Sequence, residues 1–162
     1  MESVKKYLPS LLAIYSAVIF LSSIPFKFGN AEETQVIFGK LNDWTASLGA
    51  DGLFSQTGLF SQYVIGSAEI VASIMLLAGL VSRFHRLQGF GALLGLAVMT
   101  GAISFHTLTP LGIDPNEDGG GLFYAAIGVW VSCAVLVYLR RADIKYGLAK
   151  ICEGLLGKPV SE

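Results

Sequence analysis

Long apolar stretches, separated by short polar segments, make up most of the chain. Each of the two central stretches has about 22 residues, which corresponds to roughly 33 Å of helix, enough to cross the hydrocarbon core of a bilayer. The N-terminal stretch, residues 8–26, is longer than the apolar part of a signal peptide, and no small-x-small cleavage site follows it, so we expect it to be retained. The pattern predicts four membrane-spanning helices, over residues 8–26, 60–81, 87–108 and 122–139.

Two further segments are amphipathic. Between the first and second spans, apolar residues recur at intervals of four, three and four, at Ile37, Leu41, Trp44 and Leu48. This spacing predicts a helix over residues 32–48 that lies on the outer membrane surface or caps the bundle; the plainer alternative is a short soluble helix packed on the loop. The tail, residues 142–162, has the same spacing and predicts a second surface helix that is frayed from Gly157 onward.

Composition agrees with a membrane location. Charged residues are 14% and apolar residues 53% of the 162-residue chain. A soluble domain has about 25% charged residues, and one of this size would need more polar surface to cover itself. We therefore expect an all-α protein of one domain. It would be a transmembrane four-helix bundle with an amphipathic surface helix between helices 1 and 2 and a short helical C-terminal tail.

The basic residues are distributed unevenly about the predicted spans. Four spans place both termini on one side, and nine of the eleven basic residues fall there, whereas Lys27 and Lys40 fall on the other side. Cytoplasmic loops carry an excess of Lys and Arg, so both termini are predicted to be cytoplasmic. Such a basic face attracts anionic lipid headgroups. The nine residues are Lys5, Lys6, Arg83, Arg86, Arg140, Arg141, Lys145, Lys150 and Lys158.

The third span is rich in small residues. Gly91 and Gly95 form a G-x-x-x-G pair, and Gly101 forms a second small-residue pair with Ala97. Such patches let two helix backbones approach closely within a membrane. The partner is either another helix of the chain or a second subunit, and the sequence leaves both alternatives open.

Three ionisable residues lie within or beside the predicted spans. Glu69 is the one acid in an otherwise uncharged span, Lys27 follows the first span, and His106 is near the end of the third. A charged group within a membrane is costly, so such residues turn inward and find partners. We expect Glu69, His106 and Lys27 to line one ligand-binding pocket that opens outward. There, His106 would carry protons, donate a hydrogen bond to a quinone or bind a metal, although one isolated histidine is weak evidence for a metal.

Each of these residues also has a purely structural interpretation. Glu69 can be protonated or hydrogen-bonded within the helix packing, His106 can form a hydrogen bond inside the bundle, and Lys27 can extend to the membrane surface. In that case, the candidate hydroxyl partners of Glu69 are Tyr15, Ser16 and Tyr63.

Other kinds of site have little support in the sequence. The acidic segment 114–121 lacks the spacing of a calcium-binding loop and is interpreted as a solvated turn, in which Asp118 can cap the fourth helix. Cys133 and Cys152 have neither CxxC nor metal-ligand spacing, so we expect free thiols and no metal. No nucleotide-binding or hydrolase motif occurs, and nothing indicates nucleic-acid binding.

Short motifs in a particular order resemble the DoxX-like family of small four-helix membrane proteins, over residues 8 to 140. The motifs are Phe26-Lys27-Phe28-Gly29, Gly39-Lys40-Leu41, Gly66-Ser67-Ala68-Glu69, Leu77-Ala78-Gly79-Leu80 with Arg83, Met99-Thr100-Gly101-Ala102 with His106, and Gly112-Ile113-Asp114 followed by Asp118-Gly119-Gly120. The resemblance implies a four-helix bundle, here expected in a bacterial cytoplasmic membrane. It also implies a link to membrane redox chemistry, because the family takes its name from a subunit associated with thiosulfate:quinone oxidoreduction.

The sequence supports three hypotheses for the function. The first is an accessory or ligand-binding subunit of a quinone- or thiol-linked membrane redox system, with a pocket for a quinone-like or other small polar-headed ligand and a partner that supplies the redox centre. No cysteine pair or cofactor motif makes this chain a complete oxidoreductase, so whether it is itself an enzyme stays open. The second is an assembly or scaffold subunit of a membrane complex, or a homo-oligomer. The third is a small transporter, for which four helices are few.

Overall fold

Six α-helices and one turn of 3-10 helix make up the computed structural model, which describes residues 2–157. The helices are α1 (Glu2–Phe28), α2 (Glu32–Ser47), α3 (Gln62–Ala78), α4 (His85–Leu108), α5 (Gly121–Leu139) and α6 (Arg141–Leu156), and the 3-10 turn is Ser82–Phe84. The described part of the chain contains no strand, which confirms the all-α prediction. The last part of the predicted frayed tail, residues 158–162, lies outside the described residues.

Three of the helical stretches are long and apolar enough to cross a membrane, judged by length and composition. They are Tyr7–Phe28, Ser82–Leu108 and Gly121–Leu139. They coincide with the first, third and fourth predicted spans. This agreement indicates a membrane protein.

The second predicted span contains a shorter helix than its apolar pattern indicates. Helix α3 has 17 residues, about 25 Å of helix. Ser61 caps its start, because the hydroxyl oxygen accepts a hydrogen bond from the Val64 N–H at 3.3 Å. Beyond its end, Gly79 packs directly on Gln88, at a place where no side chain would fit. A serine cap therefore marks the start of this helix, and a glycine in close contact with α4 follows its end; hydropathy alone shows neither.

The four apolar helices α1, α3, α4 and α5 pack side by side. Helix α1 packs against α3 and α5, and α4 packs against the same two helices, so that α1 and α4 lie diagonally opposite. The core between them consists mainly of aliphatic and small side chains. Its buried members are Ala13, Phe20, Ala72, Leu76, Ala92, Met99, Ala126, Val129, Cys133 and Leu136.

Two glycines of α4 permit this close packing. A Cβ atom at Gly91 would lie 2.9 Å from the Ala72 carbonyl oxygen on α3, and one at Gly95 would lie 3.0 Å from the Cys133 Sγ on α5. A Cβ atom at Gly101, in contrast, would meet only the ring of Phe105 on the same helix, at 3.9 Å. Gly91 and Gly95 therefore serve packing within the chain, whereas the surface at Gly101 is open.

Helix α2 and the two longer connections, residues 48–61 and 109–120, cover one end of the four helices, which we call the cap end. Leu41 of α2 is buried and packs with Phe54 and Leu111 of the two connections. Ile37, Leu41 and Trp44 of the predicted apolar stripe therefore face the two connections and the end of α4, whereas Leu48 is exposed. The partly buried members of this cluster are Ile37, Phe38, Trp44, Leu53 and Phe105.

The opposite end, which we call the turn end, contains residues 79–84 and helix α6. The Arg140 Nε donates a hydrogen bond to the Gln88 Oε1 at 2.9 Å, which ties the start of α6 to α4. The side chain of Ile144, in α6, packs against Gly89 of α4. Helix α6 is the predicted tail helix, and these contacts attach its first half to the rest of the protein.

Candidate functional site

A buried ion pair joins α1 and α3 near the cap end. Lys27 lies in the last turn of α1, and Glu69 lies about two turns into α3. Because the two helices pack side by side, their side chains meet: the Lys27 Nζ is 2.9 Å from the Glu69 Oε2 and 3.2 Å from the Oε1. The structure thus brings together two of the three residues predicted to bind a ligand.

Ser23 completes a triangle with this pair. It precedes Lys27 by four residues, so both side chains lie on the same face of α1. The Lys27 Nζ donates to the Ser23 Oγ at 2.8 Å, and the Ser23 hydroxyl donates to the Glu69 Oε2, also at 2.8 Å. The Phe20 carbonyl oxygen, at 2.7 Å, is the alternative acceptor for that single proton. Ser23 was not among the residues predicted from the sequence, although its spacing from Lys27 was a signal.

The pair is shielded from water on most sides. The side chain of Glu69 is 5% exposed and that of Lys27 is 15% exposed. Removing one partner of a buried ion pair costs about 3–5 kcal/mol, because the remaining charge is left uncompensated. The pair therefore couples α1 to α3. It also places a hydrogen-bond donor and a carboxyl group side by side in apolar surroundings, an arrangement that suits a polar headgroup or a proton.

A second set of polar side chains holds the end of α1. Gln62 is 2% exposed, and its Nε2 donates to the Lys27 carbonyl oxygen and to the Asn30 Oδ1, both at 2.6 Å. Its Oε1 accepts from the Gln35 Nε2 at 2.8 Å, and the Tyr63 hydroxyl donates to the Asn30 Oδ1 at 2.8 Å. Asn30 has a φ of 55°, a left-handed conformation that Asn tolerates after a helix. These bonds position Lys27 through its backbone.

The hydroxyl partners predicted for Glu69 lie elsewhere in the described part of the chain. Tyr63 donates its hydrogen bond to an asparagine that follows α1. Tyr15 and Ser16 face α5, where the tyrosine hydroxyl lies against a glycine and the serine hydroxyl lies 3.9 Å from a cysteine sulfur. Ser23 takes the place predicted for them, because it lies on the face of α1 that meets α3.

His106 is buried near the end of α4, but its contacts are with other residues. Its Nδ1 lies 2.6 Å from the Gly112 carbonyl oxygen, so this nitrogen carries the proton and donates it. The centres of the His106 and Phe123 rings are 5.6 Å apart. Within the described part of the chain, no hydrogen bond or ion pair joins His106 to Lys27 or Glu69. The single pocket formed by all three residues stays a prediction.

His106→Ala is expected to loosen the connection between α4 and α5. The imidazole holds the turn at Gly112, whose φ of +74° places it in a conformation that glycine adopts readily. Without its donor, this carbonyl group loses a hydrogen bond at a cost of about 1–3 kcal/mol. Amide hydrogen exchange over residues 109–120 should become faster, while exchange over residues 62–78 stays native. Unchanged exchange in the first segment would contradict this role of His106.

The acidic segment between α4 and α5 folds as a turn that begins α5. The Asp118 Oδ1 accepts hydrogen bonds from the N–H groups of Gly120 and Gly121 at 3.0 and 3.2 Å, so it holds the start of α5, although the N-cap position itself is Gly120. Desolvation raises the pKa of Asp114, but hydrogen bonds from Gly120 and Asp118 outweigh it and hold that pKa below its usual value. Within residues 2–157, no three His, Cys, Asp or Glu side chains cluster as metal ligands would.

Comparison with known proteins adds no relative: no family model, no curated protein and no solved structure matches this chain. The resemblance to the DoxX-like family therefore stays a prediction from the sequence motifs. What the chain itself offers is the buried group of Lys27, Ser23 and Glu69 between two apolar helices.

Proposed function

We propose that this chain is an integral membrane protein in which α1, α3, α4 and α5 form a transmembrane four-helix bundle. Three of the four have the length and composition for this, and a shorter helix such as α3 is accommodated by local thinning of the bilayer. Large apolar side chains point away from the core. In water they would form exposed apolar patches, whereas in a bilayer lipid tails would cover them. Those exposed include Leu11, Val18, Ile74 and Val131.

The distribution of charge supports an orientation with both termini in the cytoplasm of a bacterium and the cap end outside. Basic residues of the turn end would then lie in the cytoplasm, as the positive-inside rule requires. Acidic residues predominate at the cap end. The basic residues at the turn end include Arg83, Arg86, Arg140 and Arg141, and the acidic residues at the cap end are Glu32, Glu33, Asp43, Asp51, Asp114, Glu117 and Asp118.

The group of Lys27, Ser23 and Glu69 is the ligand-binding site of this proposal, and the buried ion pair at 2.9 Å is the observation that carries it. The carbonyl oxygen of a quinone-like ligand would accept a hydrogen bond from the ammonium or hydroxyl group. The carboxyl group would take up or release the proton that accompanies a change in the ligand's redox state. A partner protein would supply the redox centre. The chain is thus proposed as an accessory, ligand-binding subunit of a quinone-linked membrane system.

Glu69→Gln is expected to weaken binding of a short-chain quinone to the purified protein in nanodiscs. Without its carboxylate partner, the Lys27 ammonium group would no longer be held toward the ligand. A hydrogen bond from a charged group is worth about 1.5–3 kcal/mol, so the dissociation constant should rise by about 10- to 100-fold. Ser23→Ala removes a hydroxyl group but no charge and should weaken binding less. Isothermal titration would measure both variants.

Lys40→Gln is the matched control for the quinone experiment. Its Nζ lies at the cap end and donates only to the Pro115 carbonyl oxygen, at 3.2 Å. Quinone affinity should therefore be native in this variant. Failure of the native protein to bind quinone, or native affinity in both Glu69→Gln and Ser23→Ala, would exclude a quinone site at the ion pair.

An assembly function is the second candidate, and the open surface at Gly101 favours it. A groove of about 360 Å³ lies between α4 and α5. A hydrogen bond from the Trp130 Nε1 to the Thr100 Oγ1, at 2.9 Å, joins two of its lining residues. Small residues at an open helix surface permit close approach of another helix. The groove is lined by Thr100, Ile103, Ser104, Ile127, Trp130 and Val131.

A further inference from the structure

Among the described residues, the contacts that attach helix α6 to the protein come from its first half. Ile144 and Gly147 pack against Gly89 and Phe90 of α4. The Asp143 Oδ1 lies 3.3 Å from the Nε2 of His85, at the start of α4. These contacts place the beginning of α6 at the turn end and direct the rest of the helix away from the four packed helices.

The second half of α6 has an apolar face without a partner. Leu148, Ile151 and Leu155 are 47%, 54% and 79% exposed. Their spacing of three and four residues places them on one face of the helix, in line with Ile144. The face continues the stripe that packs on α4, but no residue of the described chain covers it.

The charge around this face is positive. Helix α6 has two acidic residues in the described range, and each has a partner: Asp143 lies beside His85, and Glu153 accepts from the Lys150 Nζ at 2.6 Å. Arg83 and Lys145, in contrast, have no acidic partner among the described residues. The acidic groups are thus paired, and unpaired positive charge remains at the turn end.

Two stacked arginines add to this positive charge. The guanidinium group of Arg86 lies 4.1 Å from the centre of the Tyr146 ring, and that of Arg141 lies 4.4 Å from the Tyr138 ring. Tyrosine and arginine are both favoured at the depth of lipid headgroups, because there the apolar part of the side chain contacts acyl chains while its polar end contacts headgroups and water. These pairs therefore fit the boundary between water and lipid.

We propose that α6 lies in the headgroup region of an anionic leaflet, with Leu148, Ile151 and Leu155 inserted among the acyl chains and Arg83 and Lys145 bound to lipid phosphates. Charge complementarity identifies what covers this face: an apolar face on the helix that carries Lys145, at an end of the protein with unpaired positive charge, matches an anionic phospholipid surface. The inference goes beyond the quinone site and depends only on the membrane location.

The native cysteines provide a probe for this surface. Cys152 is exposed on α6, next to the apolar face, whereas Cys133 is buried in α5. A polarity-sensitive fluorophore on Cys152 of the full chain would report the position of α6 in nanodiscs that hold one chain each. Discs of phosphatidylcholine alone are compared with discs that also contain phosphatidylglycerol, and nitroxide lipids serve as quenchers.

In the anionic discs, the fluorescence emission of the label is expected to shift to shorter wavelength and to be quenched by nitroxide lipids. Both effects should be smaller in the neutral discs. Lys145→Gln should lower the ratio of docked to undocked α6 by about five-fold in anionic discs, and salt should weaken docking. Lys150→Gln/Glu153→Gln is the matched control, because it removes the ion pair on the opposite face of α6 without changing the net charge. It should leave the ratio unchanged.

Three results would overturn the inference. In the first, the label reports water in both kinds of disc, and in the second it reports lipid to the same extent in both, so that anionic lipid has no special role. In the third, the label reports water in discs with one chain and is shielded in discs prepared with two chains, so that a second copy covers the face. In each case the chain remains inserted in the disc, so the proposed membrane location and the quinone site are tested separately.

Discussion

Lys27→Met is expected to lower the free energy of unfolding by about 3–5 kcal/mol. The substitution keeps an unbranched side chain but removes the ammonium group, which lies 2.9 Å from the Glu69 Oε2. The Glu69 carboxyl group, 5% exposed, would then have no compensating charge. Unfolding of the purified protein in mixed micelles, followed by circular dichroism as a denaturing detergent is added, would measure the loss.

The double variant Lys27→Met/Glu69→Gln tests whether the uncompensated charge of Glu69 causes the loss of stability. With neither charge present, most of the lost stability should return, because replacing both members of a buried pair is often close to neutral. Lys40→Met is the matched single variant, since this lysine is exposed and makes one hydrogen bond to a carbonyl oxygen. Its effect should be about 1 kcal/mol or less. Equal stabilities of Lys27→Met and Lys40→Met would show that the ion pair does not couple α1 to α3.

Gly91→Leu is expected to prevent the packing of α4 on α3 and to leave little folded protein. A Cβ atom at this position would lie 2.8 Å from the Met75 Cβ and 2.9 Å from both the Ala72 carbonyl oxygen and the Leu76 backbone nitrogen. Backbone atoms cannot rotate away, so the helices would have to separate. Overpacking costs about 1–3 kcal/mol where side chains can adjust, and we expect a larger loss here. The yield of monodisperse protein and its unfolding temperature would measure it.

Gly101→Leu is the control for this variant and also tests the assembly function. A Cβ atom at Gly101 would meet only Phe105 of its own helix, so the unfolding temperature should stay native. If another protein docks at this surface, the folded Gly101→Leu variant should no longer co-purify with it. Folding of Gly91→Leu as well as Gly101→Leu would contradict the close packing of α4 on α3.

The sequence predicted the helices well because helix formation and membrane length are local properties. The spans at 87–108 and 122–139 differ from α4 and α5 by at most two residues at either end. The amphipathic helix predicted over 32–48 is α2, Glu32–Ser47. In each case the periodicity of apolar residues and the nearby polar residues carry the information.

The end of the second span could not be predicted in the same way. Residues 79–81 are apolar or small and continue the hydrophobic run, yet α3 ends at Ala78. Beyond Ala78 the backbone tightens, with hydrogen bonds from Leu80 to Leu77 and from Val81 to Ala78, and Gly79 lies against Gln88 of the next helix. Neither the tighter turn nor this contact leaves a signal in the hydropathy of the stretch itself.

The sequence by itself determined that the chain is helical, which stretches are apolar and where its charges lie, because these follow from residue type and spacing. Only the tertiary structure decided which polar groups meet. The rotation of α1 about its axis directs Ser23 and Lys27 toward Glu69, and that of α4 directs His106 to the Gly112 carbonyl oxygen. Rotation depends on how whole helix surfaces fit together, including the close approach at Gly91 and Gly95, and no single stretch of sequence contains that information.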